Sequence, residues 1–88
     1  MMSGWLAEAE RELRDVLRID PRHRDANYNM TCLALKKGNR QDAFRWLDRL
    51  AALGYRDARA LREDPDLAPL RDDPRFERLL DRMGRSSG

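Results

Sequence analysis

The sequence predicts an all-α fold of antiparallel helical hairpins that ends in a C-terminal capping helix. Two observations predict it. Apolar residues recur at spacings of three and four along four segments, which is the pattern of amphipathic helices. The skeleton of the first segment also returns 34 positions later in the third, and a period of that length is typical of helical-hairpin repeats. Five pairs of residues keep this displacement, Gly4 with Gly38, Ala9 with Ala43, Leu13 with Leu47, Val16 with Leu50, and Ile19 with Leu53.

The first helix is expected over residues 5–19, with Ser3 as its N-cap. Asp20-Pro21 ends it, because the residue before a proline is pushed out of the helical region. Its single apolar stripe is formed by Leu6, Ala9, Leu13, Val16 and Leu17.

The second and third helices are expected over residues 25–37 and 40–53, and Gly38 and Gly54 stop them because glycine tolerates a left-handed C-cap. A connection of about two residues forces these helices to pack antiparallel as a hairpin. Their buried stripes are Ala26, Met30, Leu33 and Ala34 in the second helix, and Ala43, Leu47, Leu50 and Ala51 in the third. Phe44 and Trp46 widen the third stripe, so this helix should contact neighbours on two sides.

Beyond Gly54 the repeat pattern weakens. Asp57 is expected to cap a short helix over residues 58–63, with Leu61 facing inward. Two prolines within residues 64–71 allow a turn or at most one helical turn.

The last helix begins at Asp73-Pro74, an acid at the N-cap position followed by proline at the first helical position. Gly84 is expected to end it, and residues 85–88 are expected to form a disordered tail. Its apolar stripe has helical spacing and comprises Phe76, Leu79, Leu80 and Met83. Its other face is charged, as the outer face of a capping helix must be.

Composition limits the function classes. The chain has 88 residues, enough for one small domain, and its net charge is +2. Arginines alternate with acids along nearly every segment, which indicates a mixed solvated surface and not a nucleic-acid-binding stripe. No apolar run approaches the ~18–20 residues that cross a bilayer. The N-terminus has no secretion-signal pattern, and the single cysteine, Cys32, excludes an internal disulfide. We therefore expect a cytoplasmic protein with neither nucleic acid nor membrane as partner.

These residues resemble the tetratricopeptide repeat (TPR), a family of 34-residue helical hairpins. The match consists of Gly38, Ala43 and Leu47 in one repeat, and Gly4, Ala9, Leu13 and Asp20-Pro21 in the preceding one. The chain departs from the family pattern at Thr31, where glycine is usual, and at Gly54-Tyr55, where Asp-Pro is usual. The segment from Gly54 to Leu80 is similar to the closing segment of many bacterial TPR arrays.

The resemblance implies a single domain over residues 1–84. Residues 5–19 would be the second helix of a partial repeat, residues 24–54 a full repeat, and residues 57–84 a degenerate repeat with its cap.

In the family, the second helix of a repeat packs on the first helix of the same repeat, so the first helix here lacks its partner. Covering about 200 Å² of its apolar surface would contribute about 5 kcal/mol before entropy losses. A second copy of the chain or upstream repeats of the same chain would supply the cover. The candidate self-association residues are Trp5, Leu6, Leu13 and Leu17.

The resemblance also implies a peptide-binding groove on the second predicted helix. Its candidate partner-binding residues are Tyr28, Asn29, Cys32, Leu35 and Lys36. The family's carboxylate-clamp pattern is not matched, since Tyr28 and Cys32 stand where Lys and Asn are expected. The alternative is that Tyr28 and Cys32 are packing residues and Asn29 is a local hydrogen-bond former.

The sequence offers no set of residues with a catalytic pattern, so we expect no enzyme activity. The one histidine, His23, lies in a polar turn between two arginines. One His and one Cys are too few for a zinc site. Asp64, Asp66 and the Asp72-Asp73 pair stand beside prolines at predicted helix starts, where capping explains them. We expect no cofactor.

Taken together, the sequence favours a non-catalytic scaffold module that binds a protein or peptide partner. The alternative is a module for self-association, as a homodimer, or for capping the end of an array within a larger bacterial signalling protein.

Overall fold

The computed structural model describes the backbone of residues 2–85 and the side chains of residues 4–83. Within that range the chain is all-α and contains no strand, which confirms the predicted fold class. A 3₁₀ helix, Pro65–Leu70, lies between the fourth and fifth α-helices. The α-helices are α1 (Met2–Ile19), α2 (Arg24–Lys36), α3 (Arg40–Ala52), α4 (Ala58–Glu63) and α5 (Pro74–Arg85).

Both ends of α2 and the end of α3 are shifted by one residue from the prediction, and three further differences concern α1, α5 and the 3₁₀ helix. Helix α1 begins at Met2, so Ser3 lies inside the helix and is not its N-cap. Helix α5 continues through Arg85, one residue past the expected stop at Gly84, and the rest of the expected tail, residues 86–88, lies outside the described residues. The 3₁₀ helix is six residues long, where at most one helical turn was expected. It forms because Pro65 occupies the first helical turn, where its missing N–H is not needed, and because Asp64 caps it.

Helices α2 and α3 form a hairpin around a three-residue connection. Gly38 has φ +78°, the left-handed conformation that glycine adopts without steric cost. The Asn39 N–H donates to the Ala34 carbonyl at 2.8 Å, and the Asn39 side chain accepts from the Asp42 N–H at 3.1 Å. The same short connection therefore ends α2, caps α3 and makes the two helices antiparallel.

The connection from α1 to α2 is held by a buried amide that the sequence analysis did not single out. Asn27 is fully buried, and its Nδ2 donates to the Pro21 carbonyl at 3.2 Å and to the His23 carbonyl at 2.7 Å. His23 in turn caps α2, because its Nδ1 accepts the Ala26 N–H at 3.1 Å. These bonds tie the turn to α2 and so fix how α1 leaves it.

The main core lies between α2, α3 and the C-terminal elements. It confirms that the predicted stripe of α5 faces inward, and that Leu61 of α4 does too. Leu67 and Leu70 of the 3₁₀ helix are also fully buried there, which the sequence did not predict. The buried members are Ala34, Ala43, Phe44, Leu47, Leu50, Leu61, Leu67, Leu70, Phe76, Leu79, Leu80 and Met83.

A second, smaller cluster joins α1 to α2. Its buried members are Leu17, Ala26, Met30 and Leu33. Half-buried residues complete it, namely Leu6, Ala9 and Leu13 of α1 and Trp46 of α3. Phe44 lies in the main core and Trp46 in this cluster, so α3 does contact neighbours on two sides, as its widened stripe predicts.

The 34-residue register gives equivalent positions very different burial. Leu47 and Leu50 of α3 are each 1% exposed, whereas their equivalents on α1, Leu13 and Val16, are half-buried and 38% exposed. The stripe of α3 is enclosed by α2 and the C-terminal elements, but α1 packs mainly against α2 alone. One side of α1 is therefore open.

Candidate functional site

An open groove runs between α1 and α2 with a volume of about 430 Å³. Its floor is apolar and includes Ala9, Leu13 and Leu33. Its rims carry Trp5, Glu12 and Val16 on the α1 side, and Tyr28, Asn29, Cys32 and Lys36 on the α2 side, with Asp66 of the 3₁₀ helix beyond. The groove exists because α1 contacts α2 along one edge only.

Helix α1 carries the exposed large apolar side chains. Trp5 is 59% exposed, Val16 38% and Ile19 87%, and among the side chains of residues 4–83 these are the exposed large hydrophobic ones. Trp5 and Val16 line the groove, whereas Ile19 lies outside it on the same helix. Contiguous exposed apolar patches with polar rims mark interaction sites more often than isolated exposed residues do.

The α2 wall is polar and partly ordered by its neighbours. The Lys36 ammonium lies 5.3 Å from the centre of the Trp5 ring, a cation–π arrangement that closes one end of the groove. The Tyr28 hydroxyl donates to Asp64 at the start of the 3₁₀ helix, which holds its ring against the main core. Asn29 is exposed between them and makes its side chain available to the groove.

Cys32 lies at the middle of the α2 wall and is half-buried. Burial raises the pKa of its thiol to about 11, and the nearby Asp66 carboxylate adds to the rise while Lys36 opposes it. Below pH 9 the side chain is therefore a protonated, weakly polar group. It contributes contact surface to the groove, not a nucleophile.

The two sets of residues singled out from the sequence meet in this groove. Trp5 and Leu13 of the self-association set face Tyr28, Asn29, Cys32 and Lys36 of the partner-binding set across it. The remaining three residues lie elsewhere. Leu6 and Leu17 pack in the cluster beneath α1, and Leu35 packs against the main core. The spacing of residues within each helix could not reveal that the two sets share one surface.

Away from the groove, Glu10 in the middle of α1 connects this helix to the end of α2. It accepts from Lys37 at the end of α2 and from Arg14 at 2.9 Å on its own helix. The Lys37 hydrogen bond is the main reason that the pKa of the Glu10 carboxyl is lowered, and Arg14 adds to it. This network occupies the opposite side of α1 from the groove.

Three of the acids that the sequence placed at helix starts act as caps. Asp57 accepts from the Ala60 N–H at 3.0 Å, and Asp64 accepts from the Asp66 N–H at 2.9 Å. Asp73 accepts from both the backbone and the guanidinium of Arg75, which together lower the pKa of its carboxyl to about 2. Across the described part of the chain, no group of three His, Cys, Asp or Glu side chains could hold a metal ion.

A second open surface, about 590 Å³, lies between α3 and α5. Its side chains are engaged with one another. The Arg75 guanidinium lies 4.5 Å from the centre of the Phe44 ring, and Arg82 donates to Asp48 at 2.7 Å. These contacts join α5 to α3, and arginines and aspartates line the surface beside the apolar Phe44 and Leu79.

No helix in the described range is long and apolar enough to cross a membrane. Comparison of the chain with protein-family models, curated proteins and solved structures gave no match.

Proposed function

We propose that this chain is a non-catalytic protein–protein interaction module of the tetratricopeptide type, and that the α1–α2 groove is its contact surface. The observation that carries the proposal is the placement of Trp5 and Val16, both exposed, along a groove with an apolar floor. Large aromatic side chains beside apolar pockets supply much of the energy of protein interfaces. A protein or peptide segment would cover these side chains.

The hairpin architecture supports the same proposal. Helices α2 and α3 are joined at Gly38, α1 stands in the 34-residue register of α3, and α5 closes the main core with a charged outer face. In a stack of helical hairpins each unit contacts its neighbours, and the last unit needs a polar outer face. The open side of α1, with its exposed Trp5 and Val16, is where a further element could pack.

Three of the titratable groups that line the groove, Tyr28, Cys32 and Lys36, are not free to act as an acid, base or nucleophile. Tyr28 and Asp64 are bonded to each other, Lys36 stacks on Trp5, and the Cys32 thiol is protonated at neutral pH. A positioned acid, base or nucleophile is what a catalytic site requires, and these groups are already engaged in holding the walls of the groove.

The alternative is self-association, or capping of the end of an array in a larger bacterial signalling protein. It is favoured by the location of Trp5, Val16 and Ile19 on one exposed face of one helix. Two copies that pair through this face would have to bury about 800 Å² each to form a standard interface. An array would instead cover the face with a preceding hairpin.

A substitution that fills the groove with a large side chain tests the proposal. Ala9 lies in the groove and Ala7 is exposed on the other side of the same helix, so Ala9→Trp blocks the site and Ala7→Trp is its matched control. Helical peptides are first selected from a displayed library against the native chain, and their affinities for both variants are then measured by calorimetry. We expect Ala9→Trp to abolish binding and Ala7→Trp to preserve it.

Two results would contradict the proposal. Equal binding by both variants would place the contact surface elsewhere. Loss of binding on alanine replacement of Tyr28 and Asn29, with no effect of Trp5→Ala, would confine the contact to α2 and exclude the α1 wall. Light scattering over a concentration series decides the alternative, since a dimer that Ala9→Trp dissociates would show that a second copy occupies the groove.

A further inference from the structure

The open face of α1 has the spacing of a coiled-coil seam. Its residues alternate steps of four and three along the helix, and a stripe of that spacing packs against another helix by inserting knobs into holes. The five positions are Trp5, Ala9, Glu12, Val16 and Ile19. The face is therefore shaped to receive a helix, with one acid in the middle of an otherwise apolar seam.

The chain contains its own template for such a contact. Helix α3 stands in the same register as α1, and its stripe is covered by α2, which packs on it antiparallel. Ala43 and Leu47 of α3 are fully covered there, whereas Ala9 and Leu13 line the open groove. A helix packed on α1 as α2 packs on α3 would supply a cover that the stripe of α1 lacks.

The charges beside the seam restrict that helix further. Glu8 and Asp15 follow the edge of the seam away from α2, and Glu12 lies within it. At about 100° per residue, Arg11, Arg14 and Arg18 fall on the sides of α1 that face away from the groove. Arg14 is bound to Glu10, and Arg18 reaches Asp15 at 3.6 Å from that far side. Asp66 adds a carboxylate across the groove, and Lys36 stacks on Trp5.

From this pattern we infer that the occupant is an amphipathic helix of another protein, with one apolar stripe and lysines or arginines beside it. This inference rests on the proposed function and adds the chemistry of the partner. Charge complementarity favours a basic helix because its cations would face Glu8, Glu12 and Asp15. A second α1 would instead bring the same three acids against each other, with Glu12 in the seam of both copies, and like charges in an interface disfavour it.

Two synthetic helices test the inference on the native chain. Both have the length of α1, 18 residues, and the same leucine stripe, and they carry either lysine or glutamate beside it. Their affinities are measured by fluorescence anisotropy, below the concentration at which either peptide self-associates. We expect the lysine peptide to bind at least about tenfold more tightly at low ionic strength. The difference in affinity should shrink in about 0.15 M salt, where the Debye length is about 8 Å and exposed charges are screened.

A charge reversal in the chain supplies the specific control. Glu12→Lys should lower the affinity for the lysine peptide roughly fivefold and raise the affinity for the glutamate peptide. Asp72→Lys, an exposed reversal in the turn before α5, should change neither affinity. Circular dichroism checks that both variants keep the helical content of the native chain.

Three other outcomes would overturn the basic chemistry of the partner, the groove as a helix-binding site, or the foreign origin of the helix. Equal or tighter binding of the glutamate peptide, abolished by Ala9→Trp, would overturn the basic partner and leave the groove as the contact surface. Binding of neither peptide, with a monomeric chain by light scattering, would overturn both the basic helix and the groove as a helix-binding site. A dimer that competes with the lysine peptide for the groove would replace the foreign helix with a second copy.

Discussion

Asn27 shows how much of this fold depends on one buried polar side chain. Both hydrogens of its Nδ2 are donated to carbonyls of the turn before α2, and Thr31 one turn later donates to the Asn27 carbonyl at 3.1 Å. The His23 carbonyl also accepts the Asn27 backbone N–H at 3.1 Å, so the amide reinforces the turn and does not supply its only bond. A hydrogen bond of this kind contributes about 0.5–1.5 kcal/mol. The sequence could not reveal this role, because asparagine within a helical stripe usually indicates an exposed position and its partners lie in a turn of irregular shape.

Cys32 gives a prediction at the same scale, and its sign follows from the direction of the pKa shift. Burial raises the pKa of the thiol from 9.0 to about 11, so between those values the folded chain holds a proton that the unfolded chain releases. The stabilising contribution is fully present below pH 9 and is lost as the pH rises through 11. At pH 8 the thiolate fraction is roughly a hundredfold smaller than in an unfolded chain, partly offset by its greater nucleophilicity.

Alkylation by iodoacetamide, followed by mass spectrometry from pH 7 to pH 11, measures this shift. We expect the folded chain to react roughly tenfold more slowly than the chain in urea at pH 8, and its rate to keep rising up to about pH 11. A bound helix should slow the reaction further, because Cys32 lies in the wall of the groove. Equal rates in the folded and unfolded chain would contradict the burial of the thiol.

At the scale of elements, the two equivalent glycines of the repeat, Gly4 and Gly38, have different backbone conformations. Gly38 ends α2 with φ +78°, whereas Gly4, its equivalent 34 positions earlier, lies inside α1. The same residue type therefore provides a left-handed turn in one unit and only reduces helix propensity in the other. The sequence register alone treats the two positions as alike.

The same substitution at both positions should have opposite effects. Gly38→Ala should lower the free energy of unfolding by about 1–2 kcal/mol, because alanine is strained at positive φ. Gly4→Ala should raise it by up to about 1 kcal/mol, because alanine is the better helix former and a Cβ there has nothing within 4 Å. Urea denaturation of the two variants measures both changes. A loss of stability in Gly4→Ala would show that residue 4 is not helical.

The elements with strong periodicity were predictable and the irregular one was not. The stripes of α2 and α5 are buried as their spacing predicts, since each repeats at three and four residues over two turns or more. The sequence predicts too short a helical segment over the 3₁₀ helix, because two prolines so close together usually break a helix. In the structure, the tighter turn and the Asp64 cap accommodate Pro65, and Leu67 and Leu70 anchor the segment in the core.

At the scale of the whole molecule, the open groove leaves α1 less supported than α2, α3 and α5. It contributes one buried side chain, Leu17, among those described, whereas α3 contributes four. Local opening costs least where few apolar contacts are buried. The resemblance to the repeat family predicts that the stripe of α1 is uncovered. Only the packed helices show that its uncovered side lies beside the candidate partner-binding residues of α2.

Amide hydrogen exchange by mass spectrometry tests this difference. We expect the amides of α1 to exchange faster than those of α2, α3 and α5 in the free chain. A helix bound in the groove should slow exchange in α1 more than elsewhere, and at a hundredfold excess over its Kd the stabilisation is about 2.7 kcal/mol. Uniform exchange across all five helices would mean that α1 opens only with the rest of the molecule.

The difference between the two ends of the molecule also gives any assembly a direction. The exposed large apolar side chains described here lie on α1, while α5 presents arginines and acids to solvent over a filled core. Fibres form when a sticky patch meets a complementary site elsewhere on the next molecule, so that addition never closes. Here one end offers an apolar patch, whereas the described outer face of α5 is charged. Head-to-tail growth through α1 would have to place the exposed tryptophan against that charged face, which disfavours an open-ended polymer.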